Sequence, residues 1–242
     1  MENDKITKTI NKWFEETDAQ MHQKIKDFTS IDGLCACVLR AAMDYCNAIF
    51  LLLRKERELP AKALLRVLCE LMVKLSWCLT VPDKQNENEQ ETVKEKIRRW
   101  EKYTLCNNIR ILEKFKEVTS GDDKKKIQDS IDNLKIEQLF SDKRIKEMPK
   151  FLDLVKQLPD LFKNEVYPLL YLQFNNAVHL DVTSLVDSVL KQGKNGMQYD
   201  SDVKDLAKYN VAHAFHITCL IRKNYGWRTD EIEKEYREIM RS

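Results

Sequence analysis

Apolar positions return every three or four residues along almost the whole chain, and no run alternates with period two for long enough to indicate a convincing strand. This spacing is that of an amphipathic α-helix. The pattern predicts an all-α fold: a single-domain helical bundle of about eight to ten helices over 1–242, with a peripheral, more irregular insertion at about 119–165.

Capping and turn residues divide this pattern into elements. The first three predicted helices cover about 5–28, 34–57 and 60–80, and the short connection around Glu58 predicts that the second and third form an antiparallel hairpin. Gly121 is expected to close the fourth. The stripe of that fourth helix consists of Val93, Ile97, Trp100, Thr104 and Ile111.

The second half of the chain is predicted to be less regular at first. Two or three short helices are expected between about 124 and 160, followed by helices at about 168–179, 181–190 and 203–225 and a terminal one from about 229. Segment 191–202 contains two of the five glycines and is expected to be a mobile loop.

Composition narrows the possible functions. Only 5 glycines and 5 prolines occur in 242 residues, which argues against all-β and Rossmann-type folds. Lys and Arg number 41 against 39 for Asp and Glu, so no overall basic field favours nucleic acid. No GxGxxG, GxxxxGK[ST] or GxSxG motif occurs. Any charged site must therefore be local.

The cysteines and the N-terminus indicate the compartment. The first residues lack the apolar stretch of a signal peptide, which predicts a cytoplasmic protein with free thiols. Stretch 34–53 has the length of a membrane span, but Arg40 and Asp44 lie near its centre and can pair at i, i+4. A core helix and no membrane are therefore expected. Five cysteines in apolar helical pattern are expected to be buried: Cys35, Cys37, Cys46, Cys69 and Cys78.

One predicted helix has an unusual charge pattern. Between 61 and 81 the only charged residues are four apart and form one stripe on an otherwise apolar helix. Folding the predicted hairpin brings this stripe close to Asp44 and Arg40, which suggests a cluster of alternating charge between largely buried helices. Either paired charges fix the register of the helices, or the stripe belongs to a polar site. Its members are Lys62, Arg66, Glu70 and Lys74.

His179 ends the run YLQFNNAVHLD, in which Asn175 and Asn176 share its helix face. Amides beside an imidazole could position a phosphate or ribose, with the imidazole acting as general acid or base. A histidine in a last helical turn also complements the helix dipole, and that alternative stays open.

The segments AKALLRVLCELMVKLSWCL and YLQFNNAVHLD resemble an uncharacterised family of bacterial helical proteins linked with abortive infection, which pair an LLRxLxEL helix with a later element ending in VH. The second segment also resembles the RNxxxH signature of HEPN ribonucleases. Arg66 and Glu70 match the helix motif, and Asn175 and His179 match the ribonuclease signature. Phe174 stands where that signature has its arginine.

This resemblance implies a HEPN-like protein of a phage-defence or toxin type that acts on or binds RNA, either as a metal-independent endoribonuclease or as a non-cleaving relative. It implies a homodimer, no cofactor, and one polar pocket lined by Arg66, Glu70, Asn175 and His179, in which Arg66 would supply the cation missing at Phe174.

Three other constellations compete with this interpretation. His213 and His216 lie three apart and could join His179 at a metal, or His213 could be a core histidine on an apolar stripe. The fourth helix is either a basic, aromatic-bearing face for nucleic acid or a solvated surface; its cations are Lys94, Lys96, Arg98, Arg99 and Lys102. The third possibility is a non-enzymatic interaction or scaffold protein that forms a dimer, with Trp13, Phe14 and the heptad-like fourth helix supplying the exposed partner surface.

Overall fold

Helices account for nearly all of the secondary structure. The computed structural model describes residues 2–24, 30–80, 92–136, 145–158, 191–193, 196–198 and 203–241. The elements in these ranges are α1 (Glu2–Lys24), α2 (Ser30–Arg54), α3 (Glu58–Leu79), α4 (Val93–Val118), α5 (Gly121–Ile136), α6 (Phe151–Lys156), β1 (Lys191–Gly193), β2 (Gly196–Gln198), α7 (Val203–Asn224) and α8 (Asp230–Arg241). The predicted all-α fold is confirmed.

The chain divides into two compact units. The first, here called the main unit, comprises Met1–Thr80 and Phe151–Ser242, and the second, the inserted unit, comprises Val81–Lys150. In the main unit α2 packs against α1, α3 and α7, while α7 also contacts α1, α3 and α8. Short α6 packs on α3. Helix α7 therefore lies at the centre of the main unit.

Helices α2 and α3 form the predicted hairpin across residues 55–57. The Arg57 amide donates to the Leu52 carbonyl at 2.9 Å and the Glu56 amide to the Leu53 carbonyl at 3.0 Å. Glu56 adopts a φ of 55°, the left-handed conformation that this helix-ending motif requires. Because the reversal is so tight, the two helices pack along each other, and the apolar positions of both meet in the core.

Two aromatic residues expected at an interface are in the core instead. Trp13 and Phe14 are buried, with 0% and 1% of their surface exposed. Trp13 Nε1 donates to Glu235 Oε2 at 2.6 Å, which attaches α8 to α1, and Trp13 also lies edge-on to Phe215 on α7. Phe215 in turn stacks on Tyr236 with ring centroids 4.0 Å apart. The prediction of an exposed aromatic surface at the N-terminus was wrong, because α7 and α8 cover it.

The inserted unit contains α4 and α5. Helix α4 begins with a capping box, in which the Glu95 amide donates to Thr92 Oγ1 and the Thr92 amide donates to Glu95 Oε2. Gly121 begins α5 rather than closing the chain's fourth helix, and α5 is 16 residues long where short broken helices were expected. The two helices share a small apolar cluster of Leu105, Ile109, Leu112, Ile127, Ile131 and Leu134.

This cluster shows that the predicted stripe of α4 was partly wrong. Ile97 is buried as expected, but Thr104 is exposed and half of the Ile111 surface is accessible. The face of α4 that packs is the one containing Leu105 and Ile109, because α5 lies against it. The apolar spacing along α4 is compatible with burial of either the face with Thr104 and Ile111 or the face with Leu105 and Ile109.

The glycine-containing segment 191–202 includes a short antiparallel hairpin where a loop was expected. Lys191 pairs with Gln198 and Gly193 with Gly196. The predicted helices at 168–179 and 181–190 lie outside the described residues.

Helix α2 has the length and composition of a membrane span over Ile31–Arg54, with 39% of its most apolar window buried within the protein. Its neighbours α1, α3 and α7 make it a core helix of the main unit, as predicted. Arg40 Nε lies 3.6 Å from Asp44 Oδ2, which confirms the expected pair.

The cysteines follow the apolar pattern with one exception. All seven are free thiols, and the buried ones are Cys35, Cys46, Cys69, Cys78 and Cys219. Burial raises the pKa of Cys35 to about 11 and that of Cys69 to about 12, so these thiols stay protonated. Cys37, which was expected to be buried, is exposed together with Cys106.

Candidate functional site

The candidate site is the charge ladder of α3, which consists of Lys62, Arg66, Glu70 and Lys74. A spacing of four residues places successive side chains one turn apart on nearly the same side of the helix. Most of the remaining surface of α3 is covered by the main unit. Its buried residues are Ala61, Leu65, Leu68, Cys69, Met72, Val73, Leu75, Ser76, Trp77 and Cys78.

Glu70 is the centre of the ladder. Its Oε1 lies 3.2 Å from Arg66 Nε and its Oε2 lies 3.8 Å from Lys74 Nζ, so the two carboxylate oxygens face cations one turn before and one turn after. The side chains are mostly covered, with 14% of Arg66, 29% of Glu70 and 21% of Lys74 exposed. Partial burial weakens solvent screening, which strengthens these ion pairs relative to pairs at the surface.

The charge of the ladder determines what it can bind. Three of its members are cations and one is an anion, so the ladder has an excess of positive charge in a protein whose formal net charge is only +2. The guanidinium of Arg66 is planar and matches two oxygens of a phosphate or carboxylate. Arg66 forms an ion pair with Glu70 along the helix, and its guanidinium is chemically suited to binding an anionic group.

The structure brings together two of the four predicted site residues. Arg66 and Glu70 are in contact, as the spacing predicted. Asn175 and His179 lie outside the described residues, as does Phe174, so a pocket shared by all four residues stays a prediction.

The wider charge cluster expected between α2 and α3 is not buried. Arg40 and Asp44 pair with each other on the surface, with 73% and 65% of their side chains exposed. The prediction that they join a buried cluster with Glu70 and Lys74 was therefore wrong. Both residues lie on the solvent-facing side of α2.

His213 is a buried core histidine. It is 1% exposed, its Nδ1 lies 2.6 Å from the Tyr209 carbonyl oxygen, and burial lowers its pKa to about 4. Burial also lowers the pKa of His216, whose ring packs edge-on against Phe215. Within the described ranges no cluster of three or more His, Cys, Asp and Glu side chains could hold a metal ion. A third ligand from His179 lies outside them.

The basic face of α4 is partly used inside its own unit. Arg99 Nε donates to the Glu147 carbonyl at 2.9 Å, and Lys102 Nζ donates to the Ile145 carbonyl at 3.3 Å. Lys96 is buried, with 6% of its surface exposed. Arg99 and Lys102 thus attach the segment after α5 to α4, which neither the nucleic-acid interpretation nor the solvated-face interpretation anticipated.

One half-buried polar cluster in the main unit was not predicted from the sequence. Tyr225 donates its hydroxyl to Asp32 Oδ1 at 2.6 Å and packs against Trp227, with ring centroids 4.8 Å apart. Burial and the Asp32 hydrogen bond raise the pKa of Tyr225, which keeps the phenol protonated. The partners are 193 positions apart, so no local spacing could have revealed the contact.

A family model includes the ladder and the histidine motif in one segment. It matches residues 32–197, more than half of the chain, and is described as a family of unknown function, DUF5677. The chain belongs to the DUF5677 family. In this DUF5677 protein the matched region contains Arg66, Glu70, Asn175 and His179, whereas α7 and α8 lie beyond it. No curated protein and no solved structure matches the chain.

Proposed function

We propose that this DUF5677 protein is a cytoplasmic, HEPN-like helical protein that acts on or binds RNA in a phage-defence or toxin setting. The observation that supports the proposal is the charge ladder of α3, where Arg66 is held 3.2 Å from Glu70 with only 14% of its side chain exposed. A mostly covered guanidinium in an ion pair with a carboxylate one turn away is chemically suited to a phosphate group.

The proposal assigns a role to each residue. Arg66 supplies the positive charge that neutralises a phosphate, and Glu70 positions Arg66 through their ion pair. Asn175 and His179 enter from the resemblance to the HEPN signature, with His179 as general acid or base on the ribose and Asn175 as a hydrogen-bonding group. The active species is a homodimer, as in the HEPN ribonucleases that the motif resembles.

The first experiment measures RNA binding and RNA integrity with the purified full-length protein. Wild type is expected to degrade or protect labelled RNA, and His179→Ala is expected to abolish that effect. Intact RNA together with the same RNA affinity in wild type and His179→Ala would reject the proposal. Binding without cleavage would identify a non-cleaving relative.

A matched pair of arginine variants tests the ladder itself. Arg66→Ala removes a covered guanidinium from α3, and Arg40→Ala removes an exposed one from α2 that is also paired with a carboxylate one turn on. Loss of one phosphate contact is expected to weaken RNA binding about tenfold in Arg66→Ala. Arg40→Ala should bind as wild type. Equal RNA affinities of the two variants, both shown folded by circular dichroism, would contradict the role of Arg66.

A second candidate function is a non-enzymatic interaction protein. The observation that favours it is on α4, where three apolar side chains spaced four and three residues apart share one helix face. Ile111, Phe115 and Val118 are 50%, 57% and 83% exposed. Exposed apolar residues at helical spacing are typical of a partner surface.

Light scattering after size exclusion tests whether the apolar face of α4 is an interface, as the second candidate requires. If α4 is the interface, Phe115→Ser should lower the measured molar mass while RNA binding is unchanged. A monomer in both wild type and Phe115→Ser would remove the support that this face gives to the second candidate.

A further inference from the structure

Two polar side chains lie one turn apart on α7, in the centre of the main unit. Asn210 and His213 are 0% and 1% exposed, and their helix α7 packs against α1, α2 and α3. A buried polar atom normally has a hydrogen-bond partner, because losing hydration without replacing it is unfavourable. The hydrogen bonds of these two residues therefore show which of their polar atoms still need a donor or an acceptor.

The amide of Asn210 has a fixed orientation. Its Nδ2 lies 3.1 Å from the carbonyl oxygen of Cys46 on α2, and a carbonyl can only accept, so the nitrogen must face Cys46. Its Oδ1 then points away from that carbonyl. This oxygen is buried and has no hydrogen-bond partner among the described residues.

The same reasoning fixes the tautomer of His213. Its Nδ1 lies 2.6 Å from the Tyr209 carbonyl oxygen, so Nδ1 carries the proton. Because burial lowers the pKa of His213 to about 4, the ring is neutral near pH 7 and Nε2 is an unprotonated acceptor. Nε2 is also buried and without a hydrogen-bond partner in the described parts of the chain.

We propose that Asn210 Oδ1 and His213 Nε2 form an internal binding site for one water molecule, which donates a hydrogen bond to each. Two acceptors cannot bond to each other, whereas water has two donors. Residues three apart on a helix share one side, with Cβ atoms about 5–6 Å apart, so a single water with hydrogen bonds of about 2.7–3.2 Å can reach an acceptor on each. Buried water typically satisfies polar groups of this kind in helical cores.

A metal ion fits this position less well than water. A stable metal site needs three or more ligands, and the described residues contain no such group of His, Cys, Asp and Glu. The geometry therefore points to a neutral donor.

Nuclear magnetic resonance on uniformly labelled wild-type protein tests the site in solution. The expected result is a protonated Nδ1, an unprotonated Nε2, and a cross-peak between the His213 ring protons and a long-lived water. His22 is the internal control, because it is exposed on α1 and should show no long-lived water. A protonated Nε2, or no water contact at His213, would overturn the proposal.

A variant tests whether the two residues share the molecule. Asn210→Leu removes one acceptor, and the water cross-peak of His213 is expected to disappear. Persistence of that cross-peak would show that Asn210 is not part of the site. If Asn210→Leu does not fold, a crystal structure of wild type decides instead: one water within about 2.7–3.2 Å of both atoms supports the site, and a protein donor on either atom refutes it.

Discussion

Replacing Glu70 with alanine tests whether the charge ladder stabilises the fold. The substitution removes the carboxylate that faces Arg66 at 3.2 Å and Lys74 at 3.8 Å. Two mostly covered cations then lose the ion pair that Glu70 forms with each of them. A functional site tolerates such a loss of charge with little change in stability, whereas a structural ladder does not.

The expected magnitude follows from exposure. Removing one partner of a fully buried pair costs about 3 to 5 kcal/mol, and exposed pairs contribute about 0.2 to 1 kcal/mol. Glu70 is 29% exposed and Arg66 14%, so the ladder lies between these limits. We expect a loss of about 2 kcal/mol, which lowers the Tm of a chain of this size by about 4 to 8 °C.

Asp44→Ala is the matched control. Asp44 is also paired with an arginine four residues away on a core helix, at 3.6 Å, but 65% of its side chain is exposed. Alanine has a slightly higher helix propensity than aspartate or glutamate, so both substitutions add a small helix stabilisation. Comparing Glu70→Ala with Asp44→Ala corrects for this contribution. Its Tm is expected to stay within about 1 °C of wild type, as for other exposed pairs.

Thermal unfolding followed by circular dichroism, with urea unfolding as a second measurement, compares the three proteins. A Glu70→Ala Tm within about 1 °C of both wild type and Asp44→Ala would refute a stabilising ladder. In that case only the RNA-binding experiments on Arg66 would test whether the ladder has a function.

Three further predictions concern other parts of the main and inserted units. Tyr225→Phe deletes the 2.6 Å hydrogen bond to buried Asp32, and urea unfolding should show a loss of about 1 to 3 kcal/mol; an unchanged midpoint would contradict this. In the folded protein His213 has a pKa of about 4, whereas in the unfolded chain its pKa is that of a free histidine, about 6.5. As the pH falls from 6.5 to 4, the unfolded chain therefore binds a proton at His213 that the folded protein does not. The free energy of unfolding should decrease by about 3 kcal/mol over this range. His213→Gln should flatten this dependence in unfolding measured across that range. A thiol reagent should modify Cys37 and Cys106 rapidly in the native protein and the five buried thiols only after unfolding; rapid reaction of all seven would contradict the fold.

Local spacing was sufficient for several features. It predicted the all-α fold, the hairpin of α2 and α3, the contact between Arg66 and Glu70, and a buried His213. These depend on residues within a few positions of one another, whose relation is set by the rise and turn of an α-helix. The site residues Asn175 and His179 stay predictions.

Tertiary packing decided which helix faces are covered. Trp13 lies on an amphipathic helix that could have faced solvent or a partner, and only α7 and α8 place it in the core. Helix α4 likewise buries Leu105 rather than Ile111 because α5 lies against that side. The hydrogen bond of Asn210 to Cys46 joins positions 164 residues apart. Helical periodicity determines which residues share a face, whereas the partner of each face depends on long-range packing that no local pattern encodes.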